Sequence, residues 1–318
     1  TLTGGFMAVC WTDFIQGIMM FFAIVIVPAF AMYVMGGVET SLNAIDIVNP
    51  TFFNPFMNPD GSTISFIAFI SLMGWGLGYF GQPHILVRFM AISSTSELKR
   101  SKRIAVGWYS ISMIAAVFVG MVGNVYLTEP LNGPDVEKVL LIMTEKLFDP
   151  FVGGLILSAV LAAIMSTASS QLLVAASAFS QDFYRSVIRQ DASHTELVWV
   201  SRAAVLIISA MAISLAMNPN SFILEMVAYA WAGFAATFGP AVLMSLFWRR
   251  TTRNGVLAGI VVGGVTVLVW KQLALFGLYE IIPGFFFGLL AIYIVSLLDK
   301  EPSKEITDLF DAVERSNI

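Results

Sequence analysis

Ser65–Ile92 reads SFIAFISLMGWGLGYFGQPHILVRFMAI, an apolar run long enough to cross a bilayer yet built to break as a helix. Gly74, Gly76, Gly78 and Gly81 fall close together, and Pro83 follows just beyond them. Glycine weakens a helix, and proline removes an N–H and clashes with the preceding turn. Backbone freed in this way is tolerated at membrane depth only where it is buried in protein or lines a cavity. In membrane transporters, helices interrupted by Gly and Pro point to the central site. Trp75 and Tyr79 are four positions apart and share a face as long as the helix continues between them. An aromatic wall beside open backbone suits a small, partly apolar organic solute. A kink whose aromatics pack on neighbouring helices carries the same pattern, so both readings stay open here.

The rest of the chain repeats the apolar theme. Of 318 residues, 58% are hydrophobic and 12% charged, and the mean hydropathy is +0.82. A soluble domain carries about 25% charged residues. Eight candidate spans follow one another: Phe6–Val34, Ser62–Ile92, Ile104–Leu127, Pro150–Phe183, Val198–Met217, Phe222–Trp248, Gly255–Phe276 and Ile281–Leu298. That many runs predict an all-α polytopic membrane protein, and not a soluble domain with a few buried helices. The fourth is long enough to tilt or to extend past the bilayer. The link Gly277–Glu280 is so short that spans seven and eight must form a tight hairpin. A net charge of -4 implies no nucleic-acid partner. The single Cys10 excludes an internal disulfide framework, and His84 and His194 are too far apart for a local metal motif.

Orientation is read from the basic residues. Lys99, Arg100, Lys102 and Arg103 follow span two, Arg185, Arg189 and Arg202 surround the junction of spans four and five, and Arg249, Arg250 and Arg253 follow span six. The alternate loops hold Lys138, Lys146 and Lys271 beside Glu39, Asp46, Asp60, Glu129, Asp135, Glu137 and Asp149. The basic loops, Thr1–Gly5 and the tail from Asp299 are therefore expected in the cytoplasm, in a plasma or bacterial inner membrane. Residues 1–298 read as a transmembrane domain and 299–318 as a cytoplasmic tail. Thr1 is not an initiator Met and no signal peptide precedes the first span, so the chain is expected to be a piece of something longer. In an external loop, Asp135–Leu147 has helical periodicity through Val136, Val139, Leu140, Met143 and Leu147. A short helix across the external mouth fits, with Glu137 a candidate gate, and so does an interfacial helix with no gating role.

Span four contains LSAVLAAIMSTASSQLLVAASAFSQDFY, in which Ser166, Thr167, Ser169, Ser170 and Gln171 crowd the middle of the membrane. Helical spacing puts Ala163, Ser166, Thr167 and Ser170 on one stripe. Sodium is a hard cation that seeks oxygen, by the logic that governs calcium and magnesium. Two hydroxyls and a carbonyl one turn back supply part of such a shell. Small and hydroxyl residues are also the glue of close helix packing, and the pattern alone leaves the two roles open. Ionisable residues within spans are functional candidates by default, and Asp13 in span one is one. Arg88 sits where it can snorkel.

Gly74–Ala91 (GWGLGYFGQPHILVRFMA) and Leu161–Tyr184 (LAAIMSTASSQLLVAASAFSQDFY) closely resemble the sodium:solute symporter family, in its proline-transporting branch. Gly4–Met20, Tyr229–Leu243, Thr252–Gly255 and Gly277–Phe285 support the likeness, which runs from Gly4 to about Leu298. The resemblance implies an inverted-repeat fold of the leucine-transporter type, with alternating access around a midplane site. In that frame span two is the broken helix of the second repeat. Trp75, Tyr79 and Pro83 match substrate-site positions, Ala163, Ser166 and Thr167 match sodium-site positions, and Asp13 matches an acid near the inner sodium route. The family's other broken helix would precede Thr1. The resemblance further implies sodium as the coupling ion, no organic cofactor, and import of a small amino acid, foremost L-proline. Pantothenate or another small solute is the alternative within the family, and a symporter-like sensor module the alternative outside it. An enzyme is not expected, because the spans pair no nucleophile with a base. The partners expected are therefore a small solute, sodium and membrane lipid.

Overall fold

The structure, a computed structural model, describes residues 5–217 and 222–315. The far N-terminus (Thr1–Gly4) and the last residues of the expected tail (316–318) lie outside them. The described residues form helices α1 Gly5–Val34, α2 Val38–Val48, α3 Phe66–Gly74, α4 Pro83–Met90, α5 Thr95–Tyr126, α6 Val139–Leu147, α7 Pro150–Ser177, α8 His194–Ala216, α9 Ile223–Phe247, α10 Arg253–Leu273, α11 Ile281–Leu298 and α12 Lys304–Arg315. Seven of the helical runs described are long and apolar enough to cross a membrane. The remaining expected span is the one that breaks: α3 passes into a 3-10 run, Trp75–Gly81, and α4 starts anew at Pro83. The fourth span continues from α7 through a wider-wound stretch, Ala178–Ile188. The third begins earlier than its apolar run does, so Lys99, Arg100, Lys102 and Arg103 lie on α5 itself and not in a loop. Helix ends follow their caps: the Asp149 carboxylate accepts from the N–H groups of Phe151 and Val152, and Ser193 from Glu196.

The helices fall into two compact units, Thr1–Asp60 with Arg100–Ser221 and Gly61–Lys99 with Phe222–Ile318. In the first, Val27 and Ala31 of α1, Ile45 of α2, Val122 of α5, Met143 of α6 and Ile156 of α7 meet in one core. Helix α6, expected on the external side, buries Met143 and Thr144 completely. It comes so close to α5 that a Cβ on Gly123 would lie 2.4 Å from a Val139 methyl. Val139, Leu140, Met143 and Leu147 of its apolar stripe therefore pack into the core, while Val136, in the 3-10 turn Gly133–Lys138 that leads into it, stays exposed.

In the second unit α9, α10 and α11 pack with little side chain between them. Gly255, Gly259 and Gly263 recur every fourth residue on α10, and a Cβ at Gly263 would lie 2.1 Å from the Ala236 carbonyl of α9. Lipid is as apolar as leucine, so helices in it associate through such close van der Waals contact. The predicted hairpin is present between α10 and α11. Its link docks inward: the Tyr279 N–H donates to the Ser71 hydroxyl of α3 (3.1 Å), and the Tyr279 hydroxyl donates to the Ala228 carbonyl of α9 (2.6 Å). Burial, with Glu280 beside it, pushes that phenol above its usual range and keeps the donor protonated.

Candidate functional site

The break in span two is held by α9. Between α3 and α4 the backbone winds as a 3-10 run, whose hydrogen bonds have poorer geometry than those of an α-helix. Trp231 adds a donor from outside the run: its indole N–H donates to the Trp75 carbonyl at 3.0 Å. Gln82, almost wholly buried, returns a side-chain N–H to the Trp231 carbonyl at 3.3 Å. The indole can enter only because Gly78 lacks a side chain, since a Cβ there would stand 1.7 Å from Trp231 Nε1. At Gly81 a Cβ would meet the Phe234 carbonyl at 2.4 Å. Two of the span's glycines are thus places where α9 touches its backbone, while Gly76 faces open space.

Trp75 and Tyr79, expected to form one wall, converge on the same ring. Trp75 stacks on Trp231 with centroids 5.4 Å apart, and Tyr79 meets it edge-on at 5.1 Å. Tyr79 keeps 38% of its surface exposed. Pro83 takes the first position of α4 and is half-buried; its clearest effect is on the backbone, at the end of the break. Trp231 is the residue that the sequence reading missed. Its signal was present in Tyr229–Leu243, a supporting stretch of the resemblance, but no local pattern says which helix fills the glycine notch.

In the other unit, the hydroxyls of Ser166 and Thr167 both donate to the Ala163 carbonyl, at 3.0 and 3.2 Å. Three oxygens from the three expected residues therefore gather within one helical turn. Both hydroxyls can rotate and offer lone pairs to a cation, and the donor set of a carbonyl and two hydroxyls suits sodium. Farther along the stripe, buried Ser170 donates to the Ser166 carbonyl at 2.9 Å and reaches Asp13 Oδ2 of α1 at 3.2 Å. The structure thereby brings the expected acid onto the hydroxyl stripe. Glu137 lies exposed in the turn before α6, next to the Lys138–Asp135 ion pair.

A profile of the sodium:solute symporter family matches residues 1–263. The chain belongs to this family. Among similar proteins is the high-affinity proline transporter PutP of Bacillus subtilis, 48% identical over 98% of this chain and 65% of its own length. The osmoregulated proline transporter OpuE of the same organism is 47% identical over 99% of this chain and 64% of its own. The sodium/proline symporter of Escherichia coli is 47% identical over 98% and 62%. The chain thus spans a little under two thirds of the length of these relatives. A Na+-coupled sialic acid symporter, solved substrate-bound and outward-open, superposes with a TM-score of 0.74 over 95% of this chain and 65% of that one, at 20% identity. That likeness shows the fold: an all-α, multi-pass arrangement of the leucine-transporter type. The relatives of this symporter-family chain are transporters and not enzymes.

Proposed function

We infer that the chain is part of a sodium-coupled importer of L-proline. The observation that carries this is the 47–48% identity to proline transporters, sustained over essentially the whole chain. The geometry agrees in kind. Ala163, Ser166 and Thr167 supply part of a sodium shell, completed by ligands from other elements, and Asp13 lies on the ion's inner route. The aromatic wall of Trp75 and Tyr79, with the backbone opened ahead of Pro83, takes the pyrrolidine ring. Glu137 is a candidate external gate. Residues 1–298 form the transport domain and 299–318 a tail, with the basic loops and tail on the cytoplasmic side.

No covalent step is needed. Sodium binding orders the site and raises affinity for solute, and by linkage solute raises affinity for sodium by the same factor. The membrane potential adds about 2.3 kcal/mol per charge per 100 mV in the inward direction. The test is uptake of labelled proline by the full-length protein in proteoliposomes, with pantothenate and other small solutes for comparison. Proline accumulation that requires an inward sodium gradient and grows with inside-negative potential is expected. Sodium-independent uptake, or uptake of another solute in preference, overturns the reading.

A further inference from the structure

We propose that α12 is a membrane-surface helix, seated in the lipid headgroup boundary with its apolar face turned into the acyl chains. Its sequence KEITDLFDAVER places Ile306, Leu309, Phe310 and Val313 at the i, i+3, i+4, i+7 spacing of one face. Ile306 is 56% exposed and Leu309 67%. The opposite side carries Lys304, Asp308, Asp311 and Arg315. The helix is too short to span, yet it is confined near the bilayer. It begins six residues after α11 ends at Leu298, a reach of no more than about 20 Å.

Two arginines from the link between α9 and α10 hold it there. Arg249 grips Asp311 through both nitrogens, Nε to Oδ1 at 2.7 Å and Nη2 to Oδ2 at 3.0 Å. Arg250 donates to the carbonyls of Asp299 at 3.0 Å and Lys300 at 3.4 Å, fixing the turn out of the last span. Asp311 leaves α12 from a different edge than Ile306 and Leu309 do, so the tether leaves these two exposed, with Phe310 half-buried. On the adjoining span, Tyr293, Ile294, Leu297 and Leu298 are also exposed apolar residues. In a chain of membrane-crossing helices these belong to the lipid-facing belt, which therefore reaches the last residue of α11, six residues before α12 begins.

Lipid is the occupant favoured over a protein because the short link and the Arg249 tether keep an amphipathic helix at the level where the span leaves the bilayer. The charges decide which lipid contact matters. Most interfacial helices are rich in Lys and Arg and use anionic headgroups. This one carries Glu305, Asp308, Asp311 and Glu314 against Lys304 and Arg315, so attachment rests on apolar burial and does not require anionic lipid.

The experiment uses the full-length protein in a cysteine-free background (Cys10→Ser among the changes), in nanodiscs of phosphatidylcholine. An environment-sensitive fluorophore is placed by Ile306→Cys, Leu309→Cys or Asp308→Cys, and nitroxide-bearing phosphatidylcholine is the quencher. Severalfold stronger quenching at Ile306 and Leu309 than at Asp308 is expected, at a depth of about 5–10 Å below the headgroups. Equal, water-like emission on both faces overturns the proposal, since α12 is then solvated. Water-shielded emission at Leu309 that nitroxide lipid leaves unchanged also overturns it, because a protein surface or a second copy then covers the stripe. All sites are exposed, and sodium-dependent transport by each labelled variant verifies the fold, so location is read apart from which solute is carried.

Discussion

On α7 the Ser166 and Thr167 hydroxyls turn back onto the Ala163 carbonyl of their own helix, whereas Trp75–Gly81 is tied to α9 by the Trp231 indole and, at its end, by the Gln82 side chain. The first arrangement is local: each hydroxyl has a partner without help from elsewhere, and it can swing to a cation for the cost of one weak bond. The second is cross-linked: a carbonyl of the 3-10 run, an indole, a buried amide and two glycine notches fit only together. A local cluster is soft and ready for an ion. A cross-linked one is stiff and presents a fixed surface to a solute. Substitutions should therefore fail differently in the two places.

The largest effect is expected at Gly81→Ala. Its methyl would stand 2.4 Å from a backbone carbonyl of α9, which cannot rotate away. Overpacking of this kind costs about 3 kcal/mol. Thermal unfolding of the purified full-length protein should show a loss of that order, while Gly76→Ala, which faces open space, should leave the transition nearly unmoved. Equal losses at both glycines would mean that helix propensity, and not the notch, governs the break.

Next come the rings. Trp75→Ala and Tyr79→Ala should each weaken solute binding by about 1–3 kcal/mol per folded molecule, because an aromatic face gives large contact area at small entropy cost. Sodium affinity measured without solute should stay nearly intact. Trp231→Phe keeps a ring but leaves the Trp75 carbonyl short of its donor, and should cost about 1 kcal/mol. Equal loss of sodium and solute binding in Trp75→Ala would turn the aromatic cluster into scaffold.

On the soft side, Ser166→Ala and Thr167→Ala should raise the sodium concentration for half-maximal uptake by about fivefold each, corresponding to roughly 1 kcal/mol. Expression should change little, since the substitutions are small and the hydroxyls bond within α7. Unchanged sodium dependence in both variants would return the stripe to helix packing.

The same contrast explains what could be read from sequence. Span number and the position of the break were legible because hydropathy, glycine and proline act within a few residues of where they stand. So was the oxygen cluster, because its geometry is one turn of helix. The partner of Gly78 was not, since Trp231 is 153 positions away and nothing near either residue names the other. Nor was the burial of α6: a stripe of Val139, Leu140 and Met143 fits an interface as well as a core, and only Gly123 decides between them. The tail read as a charged end because its charges outnumber its apolar residues, although their spacing already carried the face of α12.

The smallest effect tests a cross-element contact that rests on charge and not on fit. Arg249 holds the Asp311 carboxyl below the usual carboxylate range, first by direct hydrogen bonding and then by its charge. A carboxylate whose acidity is strengthened by folding contributes stability above its unfolded pKa, about 3.9, and loses it as pH falls through the lower folded value. Docking of α12 should therefore be flat from pH 8 to 5 and weaken only below about pH 4. Mobility of a spin label introduced by Ala312→Cys in the cysteine-free protein reads this directly. Asp311→Asn should raise the label's mobility at neutral pH and remove its pH dependence, and high salt should loosen the parent moderately, because both partners are open to screening. A rise in mobility already between pH 7 and 5 would assign the tether to a different titrating group, and the local-versus-cross-linked distinction would then need a histidine or a shifted acid that the Arg249–Asp311 geometry does not supply.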